Sequence, residues 1–167
     1  PLASKPDAFL QEINVGLHRI FKKVSTSIFV TSCYLVADIL ERKVVYANAG
    51  HPPPLLLRRS EKRLIPLGAL NDDPDIALGL AGEVRYTLQE VSVRKNDSLI
   101  LYTDGVFEAE NQEGVQLGMQ PFRDWVLDQS SQSISQLLES LMENLEEFCG
   151  TKEFGDDVCL FGVDFLR

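Results

Sequence analysis

The sequence predicts an α+β fold. A helical apolar repeat opens the chain. Alternating and continuous apolar runs, separated by short polar turns, fill its middle. Two further helical segments precede one last apolar run. Strands come in runs and helices come in runs, roughly six or seven strands and three helices, whereas a parallel α/β fold would alternate them.

Each element can be read in order. From Asp7 to Phe21, apolar residues fall at Phe9, Leu10, Ile13, Leu17, Ile20 and Phe21, the spacing of a helix with one buried face. Asp7 lies in the first turn, where the helix dipole favours a carboxylate. Ser27 to Ile39 is apolar on both alternating faces and predicts a central strand covered on both sides. Glu41-Arg42-Lys43 is a polar turn, and Val44 to Ala47 returns as the hairpin partner. Gly50-His51-Pro52-Pro53-Pro54 interrupts that strand, because proline cannot donate to a ladder. Leu55-Leu56-Leu57 resumes it, and Arg58 to Arg63 is a charged turn.

Pro66 to Gly82, with Asn71-Asp72-Asp73, is the longest candidate for an irregular, mobile segment. Val84 to Val91 alternates as a strand, Asn96-Asp97 is a turn, and Leu99 to Tyr102 is a short buried strand. Pro121 to Leu127 predicts a helix with Trp125 as core anchor. Ser133 to Phe148 predicts a strongly amphipathic helix that Gly150 caps. Val158 to Val163 is a last buried strand.

The 167 residues, 44% hydrophobic and 25% charged, suit one globular domain over 1–167. A formal net charge of −9 argues against a general nucleic-acid or anionic-membrane binder, since both need Lys and Arg. No apolar run approaches the ~18 residues of a membrane span. Cys33, Cys149 and Cys159 are scattered with no C-x-x-C pair, which predicts reduced thiols in the cytoplasm. The opening Pro1 to Pro6 is not a signal peptide and reads like the middle of a longer chain.

The chemistry is expected at two acidic turns. Leu99 to Tyr102 runs straight into Thr103-Asp104-Gly105, and Gly155-Asp156-Asp157 runs straight into Val158 to Val163. If both strands are central neighbours, the carboxylates of Asp104, Asp156 and Asp157 converge at one sheet edge. Clustered carboxylates repel, and a cation relieves them. Hard oxygen donors with waters favour Mg²⁺ or Mn²⁺ over zinc. Gly105 fits either a positive φ or a close backbone approach. An Asp-Gly after a strand also serves as a plain turn, so each site alone is weak. His51 reads as a turn residue and His18 as a surface or half-buried polar one; two His and three scattered Cys do not make a zinc site.

Four segments occur together in order: Ser32-Cys33-Tyr34-Leu35, Tyr46-Ala47-Asn48-Ala49-Gly50-His51-Pro52-Pro53, Leu99 to Ala109 with Tyr102-Thr103-Asp104-Gly105 at its centre, and Gly155-Asp156-Asp157-Val158. They resemble the metal-dependent protein phosphatase (PPM) family, in its bacterial branch of sporulation stage II protein E and environmental-stress phosphatases. The resemblance runs from about Phe9 to Phe165. It implies an antiparallel β-sandwich flanked by helices. It implies hydrolysis of phosphoserine or phosphothreonine at a two-ion Mn²⁺ or Mg²⁺ site, with Asp104 and Asp156 as metal ligands and Asp157 orienting or binding. Gly105 would shape the turn, and His51 would be a structural residue of the hairpin with a polar supporting role. The Pro66 to Gly82 stretch would be a flap that touches protein substrates.

The implied partners are a phosphorylated regulatory protein of anti-anti-sigma type and an upstream sensor or receiver domain. The family's first metal motif, an Asp-containing Gly-His-Gly segment, occurs nowhere in the sequence. The domain is therefore expected to be incomplete at its N-terminus, weak in metal binding and weak in hydrolysis by itself. A homodimer or strand exchange is expected to cover the exposed apolar surface. The competing expectation is a degenerate, non-catalytic module that binds a partner protein. A phosphoacceptor role for Asp104, as in receiver domains, is disfavoured because such folds alternate β and α.

Overall fold

The computed structural model describes residues 2–23, 28–68 and 76–166. Among them are seven strands and three α-helices, arranged as two antiparallel sheets with flanking helices. The chain divides into two compact units, Pro1–Pro53 with Gly68–Val93, and Pro54–Leu67 with Arg94–Arg167. No helix among the described residues is long and apolar enough to cross a membrane.

The first unit carries α1 (Pro6–Phe21) and a three-stranded sheet. Proline at the first helical position removes no needed donor, and Asp7 sits in the first turn. Leu10, Ile13 and Leu17 pack with Ala47, Ala49, Leu78, Val84 and Tyr86, and Phe9 stacks on Tyr34 at 4.2 Å. Ile20, expected on the buried face, is 60% exposed. At 100° per residue it lies about 60° from Leu17, at the margin of the stripe on the Ile13 side, while the polar Asn14 lies within it. Asn14 is fully buried and satisfied: its amide donates to the Ala81 carbonyl (2.9 Å) and its oxygen accepts from Gly79 N–H (2.8 Å). His18 is half-buried, its Nδ1 3.0 Å from the Gly79 carbonyl oxygen.

β1 (Ser32–Asp38), β2 (Lys43–Ala49) and β5 (Gln89–Ser92) form the sheet in the order β1-β2-β5. The expectation of a central strand at Ser27 to Ile39 is corrected. The strand begins at Ser32, lies at the sheet edge and is at most half-buried; Ser27 falls outside the described residues. The central strand is β2, with Val44, Tyr46, Ala47 and Ala49 buried. The expected hairpin is present, its turn held by the Asp38 carboxylate accepting from Leu40 and Glu41 N–H. The strand expected at Val84 to Val91 is only Gln89–Ser92. Val84 and Tyr86 do point into the core, but residues 84–88 have no strand partner among the described residues. Of the Pro66 to Gly82 stretch, residues 69–75, with Asn71-Asp72-Asp73, lie outside the described residues. Residues 76–82 are tied down by the Val30–Leu78 bridge and by Asn14.

The second unit holds a sheet in the order β4-β3-β6-β7, from β3 (Leu55–Arg58), β4 (Arg63–Pro66), β6 (Ser98–Tyr102) and β7 (Leu160–Asp164). Leu55 to Leu57 thus does not resume the earlier strand; after the three prolines the chain enters the other sheet. β4 is an unexpected strand, lying between the charged turn expected at Arg58 to Arg63 and the irregular stretch expected from Pro66. The actual turn is one 3₁₀ turn, Arg59–Glu61, closed by Lys62 at φ +46°. α2 (Met119–Asp128) and α3 (Ile134–Cys149) cover one face. Phe122 and Val126, not Trp125, are the fully buried anchors of α2; Trp125 is half-buried at the core's margin. On α3, Leu137, Leu141 and Leu145 are buried, each worth roughly 1.5–3 kcal/mol. A capping box between Ser133 and Gln136 starts this helix, and Gly150 at φ +68° ends it.

The strand expected at Val158 to Val163 is also corrected. β7 is the edge strand of its sheet, and Phe161 (57%) and Val163 (38%) are exposed. Its inner contact depends on Gly162, where a Cβ would lie 2.4 Å from Ile134 Cγ1 and prevent α3 from packing. A buried ion pair, Arg58 Nη1 to Asp97 Oδ2 at 3.2 Å, closes the far end of β3 and β6. The Arg94 amide also donates to that Asp97 oxygen, at 2.9 Å.

Candidate functional site

β6 is the buried strand beside β7, and its residues Leu99, Ile100 and Tyr102 are almost wholly enclosed. Its C-terminal end delivers Thr103 and then a 3₁₀ turn, Asp104–Val106. β7 runs antiparallel to β6, with Tyr102 opposite Leu160, so the segment before β7 arrives at the same end. The topology brings the Asp104 turn and the 155–159 turn side by side for this reason.

Thr103 stitches them together. Its hydroxyl donates to the Asp157 carbonyl (2.8 Å) and accepts from the Cys159 N–H (2.9 Å), and its own N–H donates to the Cys159 carbonyl (3.1 Å). Gly105 makes the approach sterically possible. A Cβ there would lie 2.7 Å from the Asp157 carbonyl oxygen, 3.1 Å from the Asp157 carbonyl carbon and 3.5 Å from that of Asp156. Its φ is not in the left-handed region, so close approach is the reason for glycine.

The acidic side chains are exposed at this junction. Asp156 Oδ1 accepts from the Asp157 N–H (2.7 Å), which fixes its carboxylate against the turn. The Asp104 carbonyl accepts from Phe107 and Glu108 N–H at 3.0 Å each, while its carboxylate makes no hydrogen bond or ion pair among the described residues. Beside them is a cleft of about 410 Å³, rimmed by Glu108, Glu110, Glu153 and Asp156 and backed by Cys149 and Phe154. No lysine or arginine lines it. Burial pushes the Cys149 thiol up from its ordinary value, so that wall stays uncharged.

The donor set can be compared with a metal site. Asp104 and Asp156 are exposed hard-oxygen donors, with Asp157 on the same loop, and Mg²⁺ is held by one or two carboxylates plus waters. Donors of this kind suit a hydrated hard cation. Among the described residues no group of three His, Cys, Asp or Glu is placed to hold a metal, so a two-ion centre has no visible bridging ligand here. His51 belongs to the first unit. Its N–H donates to Asn48 Oδ1 (2.8 Å) and its carbonyl accepts from Asn48 Nδ2 (2.7 Å), a turn closed after β2.

Four of these residues carry signals that the sequence reading passed over. Thr103 is a β-branched hydroxyl at the strand end, a signal for a clamp. Glu108 and Glu110 alternate behind the Asp-Gly, a signal for one acidic face. Asn48 sits in an otherwise apolar strand, a signal for a turn-closing amide.

Known proteins bear on this geometry. The family model described as stage II sporulation protein E (SpoIIE) matches residues 2–166. The phosphoserine phosphatase RsbP of Bacillus subtilis is 26% identical over 160 residues, covering 95% of this chain and 37% of RsbP. The phosphoserine phosphatase RsbU of the same organism is 26% identical over 100 residues, 59% of this chain and 29% of RsbU. The match thus covers well under half the length of these relatives, 37% of RsbP and 29% of RsbU. Among solved structures, the SiaA-PP2C domain of Pseudomonas aeruginosa superposes with a TM-score of 0.77 at 20% identity, over 95% of this chain and 60% of that one. The phosphatase domain of SpoIIE from Bacillus subtilis gives 0.59 at 16% identity, over 95% and 72%. At such identities the likeness establishes the fold.

Proposed function

The chain belongs to the stage II sporulation protein E (SpoIIE) family, and from that premise we propose that it is a metal-dependent protein serine/threonine phosphatase domain acting on a phosphorylated regulatory protein. The observation that carries the reading is the contact of the two acidic turns through Thr103 and Gly105. Two turns this close are costly to build in a fold that does not use them, since only glycine fits at 105. Asp104 and Asp156 are the metal ligands, and Asp157 holds the loop and completes the acidic edge. When bound, Mn²⁺ or Mg²⁺ supplies Lewis-acid neutralisation of phosphoryl charge and an acidified water. The protein's own residues fix where this happens. Thr103 pins the loop, Gly105 sets its distance from β6, and the Asp157 N–H orients the Asp156 carboxylate. Glu108, Glu110 and Glu153 make the neighbouring cleft hostile to a phosphate dianion, so the phosphoryl group is accepted only at the cation. His51 closes the turn after β2 and has no catalytic part. RsbP and RsbU carry the name phosphoserine phosphatase. The substrate proposed for this chain is a phosphoserine or phosphothreonine on a small anti-anti-sigma-type regulator, with a sensor or receiver domain elsewhere in the same protein.

The experiment is a calorimetric Mn²⁺ titration of the chain and of Asp104→Asn, run beside hydrolysis of a phosphoserine peptide. Binding that vanishes in the variant supports the reading. Equal Mn²⁺ binding by both proteins removes Asp104 from the site and the reading with it. A second reading, a non-catalytic module that captures a phosphorylated partner, is favoured by the lack of a third ligand among the described residues. Phosphopeptide binding without turnover at saturating Mn²⁺ would select it.

A further inference from the structure

The opposite end of β6 holds a second cleft of a different character. It has a volume of about 470 Å³, within the range of small-ligand sites, and is enclosed wholly within the second unit. Arg59, Lys62, Lys95 and Asp164 are the charged residues that line it. On a chain of net charge −9 this is a locally positive concavity. β6 spans five residues, so about 17 Å of strand separates it from Thr103.

The charges are not equally available. Asp164 is already occupied: Oδ1 accepts from Ser98 Oγ and from Arg59 Nη2 (3.4 Å), and Oδ2 accepts from the Ile134 N–H (3.3 Å). Arg59 is likewise spent on Asp164, on Ser98 Oγ (3.0 Å) and on the carbonyls of Ser130 and Gln132. The arginine therefore braces the cleft wall and cancels the one carboxylate. Lys62 and Lys95 remain, with no ion pair among the described residues. A third feature points to a ligand. Ser130 is only 5% exposed, lines the cleft, and its hydroxyl makes no hydrogen bond among the described residues. The protein leaves that hydroxyl to water or to a ligand oxygen in the cleft. Ser60 and Ser131 add further hydroxyls at the rim.

We propose that this cleft is a second binding site, for a phosphate-type oxyanion, held by the Lys62 and Lys95 ammonium groups and by the Ser130 hydroxyl. Two ammonium groups match a dianion, and ionised partners make the stronger hydrogen bonds. The hydroxyls donate to the remaining oxygens. The site lies apart from the acidic turns and needs no metal.

The test is an amide NMR titration of the chain with inorganic phosphate, in metal-free buffer at constant ionic strength. Saturable shifts are expected at residues 60–62, 95–96 and 130–133, with residues 103–106 and 155–158 unmoved. Lys62→Gln combined with Lys95→Gln is expected to weaken binding about tenfold or more. Both positions are on the surface, so the fold is retained, and Ser130→Ala provides an independent single-site check with a smaller loss. Titration with O-phosphoserine identifies the source of the anion: tighter binding than phosphate means that it arrives on a protein chain, and equal binding means a free ion. Shifts that fail to saturate, or that chloride reproduces, or a double variant that titrates like the parent, would overturn the proposal.

Discussion

Gly105→Ala puts the geometry of the acidic junction to its most direct test. The added methyl would meet the Asp157 carbonyl oxygen at 2.7 Å and its carbon at 3.1 Å. Both are backbone atoms, held by the hydrogen bond from Thr103 Oγ1 at 2.8 Å, so no side chain can rotate out of the way. Relief requires the 155–159 turn to move by several tenths of an ångström, which stretches that hydrogen bond. Overpacking costs about 1–3 kcal/mol and a weakened hydrogen bond about 0.5–1.5 kcal/mol. A total near ~2 kcal/mol lowers the melting temperature by roughly 4–8 °C in a chain of this size. The same movement carries Asp156 away from Asp104, and under the proposed function displaced ligands cost roughly 10–100-fold in metal affinity. Differential scanning calorimetry and a Mn²⁺ titration read the two effects. Gly155→Ala is the control, because its methyl would meet nothing within 4 Å. A Gly105→Ala protein that melts within about 1 °C of the parent and binds Mn²⁺ equally would refute the close approach.

Three other outcomes follow from the same structure. Thr103→Val keeps the shape but leaves the Cys159 N–H without its acceptor. It should cost about 1–3 kcal/mol in urea unfolding, with Thr103→Ser recovering most of the loss. Asp97→Ala removes the carboxylate that pairs with the buried Arg58 guanidinium and accepts from the Arg94 N–H, and a midpoint shift worth about 3–5 kcal/mol is expected in the same assay; an unshifted midpoint would show the pair to be solvated. Stability should fall at alkaline pH, because burial pushes Cys33, Tyr46 and Tyr102 each up to about 12. These groups ionise in the unfolded chain above about pH 9–10 but stay protonated in the fold, so the folded state loses ground as pH rises toward 12. Urea midpoints at pH 8, 10 and 11 should decline, and Tyr102→Phe should flatten the decline by up to ~1.4 kcal/mol per pH unit.

The sequence was informative wherever one local rule governed. α3 has an apolar repeat, a capping Ser133 and a terminal Gly150, and these agree, so it stood out almost to the residue. β6 was legible because an enclosed strand is apolar on both faces. The same rule misled at β1 and β7, which are apolar on both faces yet lie at sheet edges. Apolar composition reports that a strand can be covered, and pairing order depends on residues far away in the chain. β4 was hidden because Arg63 and Pro66 frame only two apolar residues, and its partner β3 supplies the rest of the evidence. At the acidic junction, Asp104 and Asp156 were visible as turn residues. Thr103 was not visible as a clamp, since its two hydroxyl partners lie 54 and 56 positions away. Asn14 escaped for the same reason, being polar within an apolar stripe and satisfied only by residues 79 and 81.

The way the junction is built bears on how a site with so few donors could work. Its position is set by the close backbone approach at Gly105 and by the Thr103 hydrogen bonds. The carboxylates are exposed, and even two unit charges 4 Å apart repel by only about 1 kcal/mol in water. Under the proposed function, Asp104 and Asp156 would hold Mg²⁺ or Mn²⁺ weakly, because two carboxylates leave the rest of its ligand shell to water. A substrate phosphoryl group would bring charge of the opposite sign to such an ion. Under the proposed function, metal and phosphorylated substrate then strengthen each other's binding by the same factor, as linkage requires. The acidic rim of Glu108, Glu110 and Glu153 sharpens that coupling, since it repels a phosphate that arrives before the cation. A site of this kind discriminates through joint occupancy, and its selectivity for a partner must come from surfaces beyond the two aspartates.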